Sequence, residues 1–321
     1  MKVLFVCSGN SEAGINPIIR SQGESLIAEG IEIDYFMIKG RGIKGYYPNI
    51  RLLRKHLQKN HYDLIHAHYG FCGIISHLAR KSEKLVVSFM GEDLLASYNP
   101  KGSITFISRL YVRINLFFAK KFFDFVIVKS EEMAGVLKMP LKKAILANGV
   151  NMDIFKPEAK EEARKRLGIA DELKLVIFVS DPSRPEKNWE LAKKAFDLIS
   201  FDKKELKALY NIQQQKLPSY YNAADALLLT SYHEGSPNVI KEAIACNCPV
   251  VSTDVGDVRE VIGNIAGCSV TSFDAEEIAS ALENIYSSGR RINGRETIFD
   301  KLDSRLVARK LISLYQEIIK D

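Results

Sequence analysis

No stretch of 18 uninterrupted apolar residues occurs in this sequence, so no segment reads as a membrane-crossing helix. Cysteine is sparse and odd in number: Cys7, Cys72, Cys246, Cys248 and Cys268 are scattered and mostly set in apolar segments. That argues against a disulfide framework and suits a reducing cytoplasm. Cys246-x-Cys248 has no second pair with which to build a zinc site. The opening MKVLFVCSG has too short an apolar run for a secretory leader and reads as a first strand. No Asp-x-Asp follows a strand as a manganese site would require, and no DNA or RNA module appears. Neither sign of charge dominates, with 45 Lys and Arg against 39 Asp and Glu, a net of +6. What remains is an ordinary globular composition, 46% hydrophobic and 26% charged, over 321 residues, enough for two domains.

The first half alternates short apolar runs with helical spacing, as a parallel sheet wound by helices does. KVLFVC (2–7), IEIDYFMI (31–38), LIHAH (64–68), KLVVSF (84–89), FDFVIVKS (123–130) and KAILAN (143–148) read as strands. Helical patterns lie between them at 16–29, 49–60, 73–82, 105–121 and 131–138. The second half restarts with a strand at 174–180 and a helix at 188–200, followed by strands near ELKALYN, at ADALLLTS, PVVST and CSVT. A helix at 275–287 and an amphipathic one, with Leu306, Leu311, Leu314 and Ile318 on one side, close the chain.

The densest chemistry lies in Ser231–Val261, SYHEGSPNVIKEAIACNCPVVSTDVGDVREV. Glu234 sits in a loop, Ser236 is placed to cap a helix and Pro237 to take its first position. Glu242 then falls about one and a half turns inside that helix. Backbone amides and the positive helix end suit phosphate, and carboxylates suit pairs of sugar or ribose hydroxyls. Phosphate flanked by polyol describes a nucleotide-sugar.

Glu234 and Glu242, with Gly235 and the downstream Val255-Gly256, resemble the signature of retaining glycosyltransferases of family 4. The resemblance implies that Glu234 contacts the donor sugar and Glu242 the ribose. Gly235, Ser236, Pro237, Asn238 and Val239 would line the donor. Asn148–Pro157 is similar to that family's interdomain linker. The implied fold is GT-B, α/β, with two Rossmann-like domains facing across a cleft and a last helix crossing back to the first. The expected boundaries are 1–157 for the acceptor domain, 158–303 for a shortened donor domain and 304–321 for the crossover helix.

Pro185-Glu186-Lys187-Asn188 resembles the family's basic phosphate loop, with Lys187 in register and Arg184 the nearest second cation. Such cations would stabilise the leaving diphosphate and make a metal or other cofactor unnecessary. Ser88–Asp93 resembles a turn that carries His where this chain has Met90, while Asp93 matches and would bind sugar or acceptor hydroxyls. His66 and His68 end a strand, where functional groups of open α/β sheets gather; they read either as acceptor-side groups or as a part-buried pair. The loop Ser8–Gly14 lacks the Lys of a Walker loop and the middle glycine of a dinucleotide fingerprint. It also lacks the Arg, Ala13 here, that a low-molecular-weight tyrosine phosphatase would need. The resemblance instead makes Gly9 and Asn10 part of the donor-side cleft.

Basic residues interleaved with aromatics between Arg109 and Lys143 read either as a core-facing helix with solvated cations or as a surface for anionic lipid. The expectation is a metal-independent retaining glycosyltransferase of cell-surface polysaccharide synthesis, using a nucleotide-sugar donor and a glycan or lipid-linked acceptor. It would be cytoplasmic, at the inner membrane face, with no nucleic acid as partner. The alternatives are a same-fold nucleotide-sugar epimerase or hydrolase, and a non-catalytic nucleotide-sugar-binding protein.

Overall fold

The computed structural model describes residues 1–10, 14–40, 42–97, 99 and 103–320, the side chain of residue 43 excepted. Ser11, Glu12 and Ala13, part of the loop after the first strand, lie outside the described residues. Contacts divide the chain into two compact units. The first takes residues up to Ser97, then Thr105–Gly149 and the segment from Ser304; the second takes Val150–Asp303.

In the first unit β1 (Lys2–Ser8), β2 (Glu32–Ile38), β3 (Leu64–His68), β4 (Lys84–Ser88), β5 (Phe125–Val128) and β6 (Lys143–Ile145) form one sheet. Its order is β2-β1-β3-β4-β5-β6, parallel throughout. The intervening helices are α1 (Pro17–Ala28), α2 (Gly42–Tyr46), α3 (Pro48–Lys59), α4 (Gly70–Ala79), α5 (Glu92–Leu95), α6 (Phe106–Lys121) and α7 (Glu131–Val136). Strands such as VLFVC are apolar on both faces because helices cover both sides of a parallel sheet. Helix starts follow local chemistry: the Asn16 side chain accepts from the Ile18 amide at 2.9 Å, with Pro17 just inside α1.

The second unit contains α8 (Lys160–Leu167), β7 (Lys174–Phe178), α9 (Trp189–Asp197), β8 (Lys204–Ala208), α10 (Leu217–Ala223) and β9 (Ala226–Leu229). It continues with α11 (Asn238–Ala245), β10 (Val250–Thr253), α12 (Val258–Ile262), β11 (Ser269–Thr271), α13 (Ala275–Ser288) and α14 (Arg295–Leu302). Its sheet is parallel in the order β11-β10-β9-β7-β8, one strand fewer than the first.

The expected boundary at 157 moves to Gly149 and Val150. Val150, Met152 and Phe155 are buried in the second unit's core. Arg295 fastens them there, its guanidinium donating to the carbonyls of Phe155 at 2.5 Å and Met152 at 2.8 Å. The last helix, α15 (Ser304–Lys320), belongs to the first unit. Its buried stripe is Val307, Ala308, Leu311, Tyr315 and Ile318, packed with Val3, Phe5 and Cys7 of β1; Leu306, expected in that stripe, is half-buried.

Candidate functional site

In an open parallel sheet, ligands gather beyond the carboxyl ends of the strands where the strand order reverses. In the second unit that place lies between β7 and β9, and both strands deliver charged loops. After β7 a short turn, Pro185–Lys187, is followed by Asn188 in the left-handed region, φ 54°, before α9. After β9 the chain runs through Thr230 and Ser231 to Glu234. The Thr230 hydroxyl lies 3.1 and 3.0 Å from the carbonyl oxygens of Lys187 and Asn188, and the Tyr232 amide donates to the Glu186 carbonyl at 2.9 Å. These bonds fix one loop against the other. Lys187 Nζ donates to Glu234 Oε1 at 2.6 Å, and the Ser231 hydroxyl donates to the same oxygen at 2.7 Å. The Lys187 and Glu234 side chains are only 15% and 14% exposed, so their charges are set into the protein. Arg184 stands on the same loop, half-exposed, with its guanidinium paired to Glu186.

Helix α11 starts three residues after Gly235, with Pro237 as its N-cap and no side chain capping it. The Ile240 amide donates to the Pro237 carbonyl at 3.2 Å, while those of Asn238 and Val239 have no acceptor within the helix. The expected Ser236 cap is therefore corrected. The Ser236 hydroxyl donates instead to Asp257 Oδ2 at 2.5 Å, and it accepts from the Lys241 ammonium. Gly256 (φ +57°) explains why the downstream motif needs glycine: a Cβ there would meet the Glu234 and Gly235 carbonyl oxygens at 2.9 Å. Glu242 is buried in the second turn of α11, accepting from the Tyr221 hydroxyl at 2.8 Å. Burial raises its carboxyl to about 7, with the bonds from Tyr221 and Gln214 opposing.

The first-unit candidates behave differently. Asp93 was expected to meet sugar or acceptor hydroxyls, but it is buried and its carboxylate serves the backbone. It accepts from the amides of Gly70 (2.9 Å), Met90 (2.9 Å) and Gly91 (3.0 Å), closing the loop and the start of α4. Burial lifts its carboxyl to about 6, against those bonds. His66 is buried too, with Nδ1 against the Tyr315 hydroxyl and Nε2 2.8 Å from Ser88 Oγ. It is thus a core residue that seats α15, and the acceptor-side expectation for it is withdrawn. His68 stacks on His66 at 4.2 Å and is equally covered, and burial pushes both imidazoles well below their usual value. Asn10 spends its side chain on Gly40, donating to its carbonyl at 2.7 Å and accepting from its amide at 2.9 Å. The Gly9 amide donates to the Ile38 carbonyl at 2.8 Å. Among the described residues no cluster of three His, Cys, Asp or Glu is placed to hold a metal ion, and no helix is long and apolar enough to cross a membrane.

The model of the family described as Glycosyltransferase Family 4 matches residues 18–154, and that described as Glycosyl transferases group 1 matches residues 146–288. The chain belongs to glycosyltransferase family 4. Its two parallel-sheet, Rossmann-like units are those of the GT-B fold. This glycosyltransferase is 27% identical, over 80% of its length, to a Bacillus subtilis protein named for a teichuronic acid biosynthesis glycosyltransferase, TuaC. It is 21% identical, over 72% of its length, to the D-inositol 3-phosphate glycosyltransferase of Thermobispora bispora. It spans 71% of the former relative and 64% of the latter. In fold it is similar to Anabaena Alr3699/HepE, solved with UDP and glucose, at a TM-score of 0.76 and 17% identity, over 99% of this chain and all of that one.

The structure thus joins Lys187 to Glu234 and places Gly235, Ser236 and Pro237 at the open end of α11, with Asn238 and Val239 opening its first turn. It adds Ser231, Tyr221, Lys241 and Asp257, which the sequence reading did not single out. Asp257 stood in the quoted TDVGD, but nothing local shows that it reaches a serine 21 positions back.

Proposed function

We propose that this glycosyltransferase moves a sugar, with retention of configuration, from a nucleoside-diphosphate sugar to a glycan or lipid-linked acceptor of a surface polysaccharide. One observation carries the reading: an uncapped helix start stands beside a lysine–glutamate pair at the switch point of a parallel sheet. The amides of α11 and Lys187 offer positive groups to a diphosphate, and Arg184 adds a second cation on the Lys187 loop. When the diphosphate engages Lys187, Glu234 is released to accept sugar hydroxyls, and Glu242 is left to the ribose. Negative charge that builds on the leaving diphosphate is met by these groups, so the reaction needs no metal or other cofactor. The TuaC relative and the UDP complex of HepE support the substrate class.

A panel of nucleotide-sugars in a thermal-shift assay identifies the donor, because a ligand that binds the native state raises its melting temperature. Proton NMR of the product made with that donor then reads the anomeric configuration; an inverted product overturns the retaining assignment. Donor consumed without acceptor favours a hydrolase or epimerase, and donor bound without turnover favours a binding protein.

A peripheral membrane location, at the inner face, is part of the same proposal. Helices α3, α4 and α6 contain no Asp or Glu. They carry Arg51, Arg54, Lys55, Arg109, Arg113, Lys120 and Lys121 together with exposed Leu52, Leu78, Phe106, Ile107, Leu110 and Phe117. Tyr47, Leu52, Arg51, Arg54 and Leu78 line a groove of about 880 Å³ on this unit. Cations mixed with large apolar side chains fit an anionic bilayer surface. Sedimentation with vesicles of phosphatidylglycerol and phosphatidylcholine should pellet the protein at low salt, and pure phosphatidylcholine should not. Equal behaviour with both overturns the location.

A further inference from the structure

Lys241 closes the first turn of α11, and its side chain is 1% exposed. Its ammonium donates to the Ser236 hydroxyl and stands 3.5 Å from Asp257 Oδ2. The Ser236 hydroxyl donates to that same carboxylate oxygen at 2.5 Å, while Asp257 Oδ1 is buried without a hydrogen-bond partner among the described residues. One buried cation, one buried anion and one hydroxyl therefore tie together the loop before α11 and the loop after β10. Those are also the loops in closest approach at Gly256, whose Cα faces the carbonyls of Glu234 and Gly235. A lysine costs free energy to bury unless it is paired, and apolar residues generally fill such a position at least as stably. Its presence calls for a role that packing alone does not supply.

We propose that Lys241 and Asp257 are positioning residues for a diphosphate subsite, acting through Ser236 to hold the Gly235–Ser236 turn and the open amides of α11. This rests on reading the start of α11 as the diphosphate site. Lys241 also neutralises Asp257, which without it is a bare carboxylate beside the place where an anion binds. Charge and geometry then make a specific forecast. Loss of the lysine alone harms anion binding more than loss of both charges, because the second change removes the repulsion that the first exposes.

The test is calorimetric titration of the full chain with inorganic pyrophosphate, and with ADP, GDP and UDP, at fixed salt. Lys241→Met should lose about tenfold in affinity. Lys241→Met/Asp257→Asn should return to within about threefold of the parent. Ser236→Ala, which keeps the ion pair but cuts its link to the loop, should lose affinity like the lysine variant. Melting temperatures of the same samples separate folding from binding. Affinity that merely follows stability, or a double variant no better than Lys241→Met, overturns the proposal. If Lys241→Met does not fold, Ser236→Ala alone decides: unchanged affinity overturns the proposal. Should the parent protein bind pyrophosphate and Lys187→Ala bind it more weakly, the diphosphate reading stands whatever Lys241 does. A parent that binds none of the four ligands ends both.

Discussion

Lys187 and Glu234 neutralise each other across 2.6 Å in a setting only 15% and 14% exposed, so each change to the pair leaves a partly covered charge behind. Replacing Lys187 by Ala should lower kcat for transfer by about 100-fold, the scale of losing one fixed group at a developing charge, with less effect on the donor KM. Steady-state kinetics with the donor from the panel checks this, and a raised KM with kcat unchanged would place the lysine in ground-state binding only. Glu242 makes a second forecast. Its carboxyl holds a proton to about 7 in the native protein, against an ordinary value of 4.5. The native state therefore binds the extra proton between those values, and this stability is full below the lower and lost as pH rises through the upper. At roughly 1.4 kcal/mol per pH unit, the loss reaches about 3 kcal/mol. Glu242→Gln should gain in melting temperature relative to the parent from about pH 5 to about pH 7.5. A constant difference across that range would contradict the buried, protonated carboxyl. Asp93 titrates in the lower part of the same window, which is why the comparison is with the parent at each pH. Lys187 and Glu234 were legible in the sequence because short motifs carried them. Asp93 matched its motif equally well, yet its three amide bonds come from residues on two loops, and no spacing rule reveals that.

In helix α15 a polar contact helps decide which residues are buried. The helix's amphipathic spacing was visible, but the buried stripe runs through Tyr315 rather than Leu306, because the Tyr315 hydroxyl meets His66. Tyr315→Phe keeps the ring and strands His66 Nδ1 in the core, at a cost of about 1–3 kcal/mol. Urea unfolding should record that loss, and an unchanged midpoint would show that the bond contributes nothing net. The start of α11 is the converse case. Ser-Pro before a helical pattern is a sound capping signal, but a carboxylate 21 residues ahead competes for the hydroxyl and leaves the helix end open. Gly256→Ala should cost about 1–2 kcal/mol, since it adds a Cβ against two carbonyl oxygens at a left-handed position. Thermal melting checks the cost, and transfer should fall with it because the Glu234 loop must shift.

At the scale of the whole molecule, His66 and Tyr315 belong to one unit and the Lys187–Glu234 site to the other. Tyr315→Phe should therefore lower stability while leaving pyrophosphate affinity unchanged within about twofold, as independent sites do. A parallel loss of affinity would mean that the two units do not act separately. By itself the sequence determined the alternation of apolar strands and helices, and with it two parallel sheets. It also carried the motif that marks the family and the lysine and glutamate of the second unit. These are local properties: periodicity, turn chemistry and short spacings all act within a few residues. Only the tertiary structure decided that Val150–Phe155 joins the second core, that Asp93 and His66 turn inward, and that Ser236 answers to Asp257 and Lys241. Each of those outcomes turns on at least one buried polar partner or apolar face far along the chain. It is set by which groups the folded sheets bring together, and no local window of the sequence contains them all.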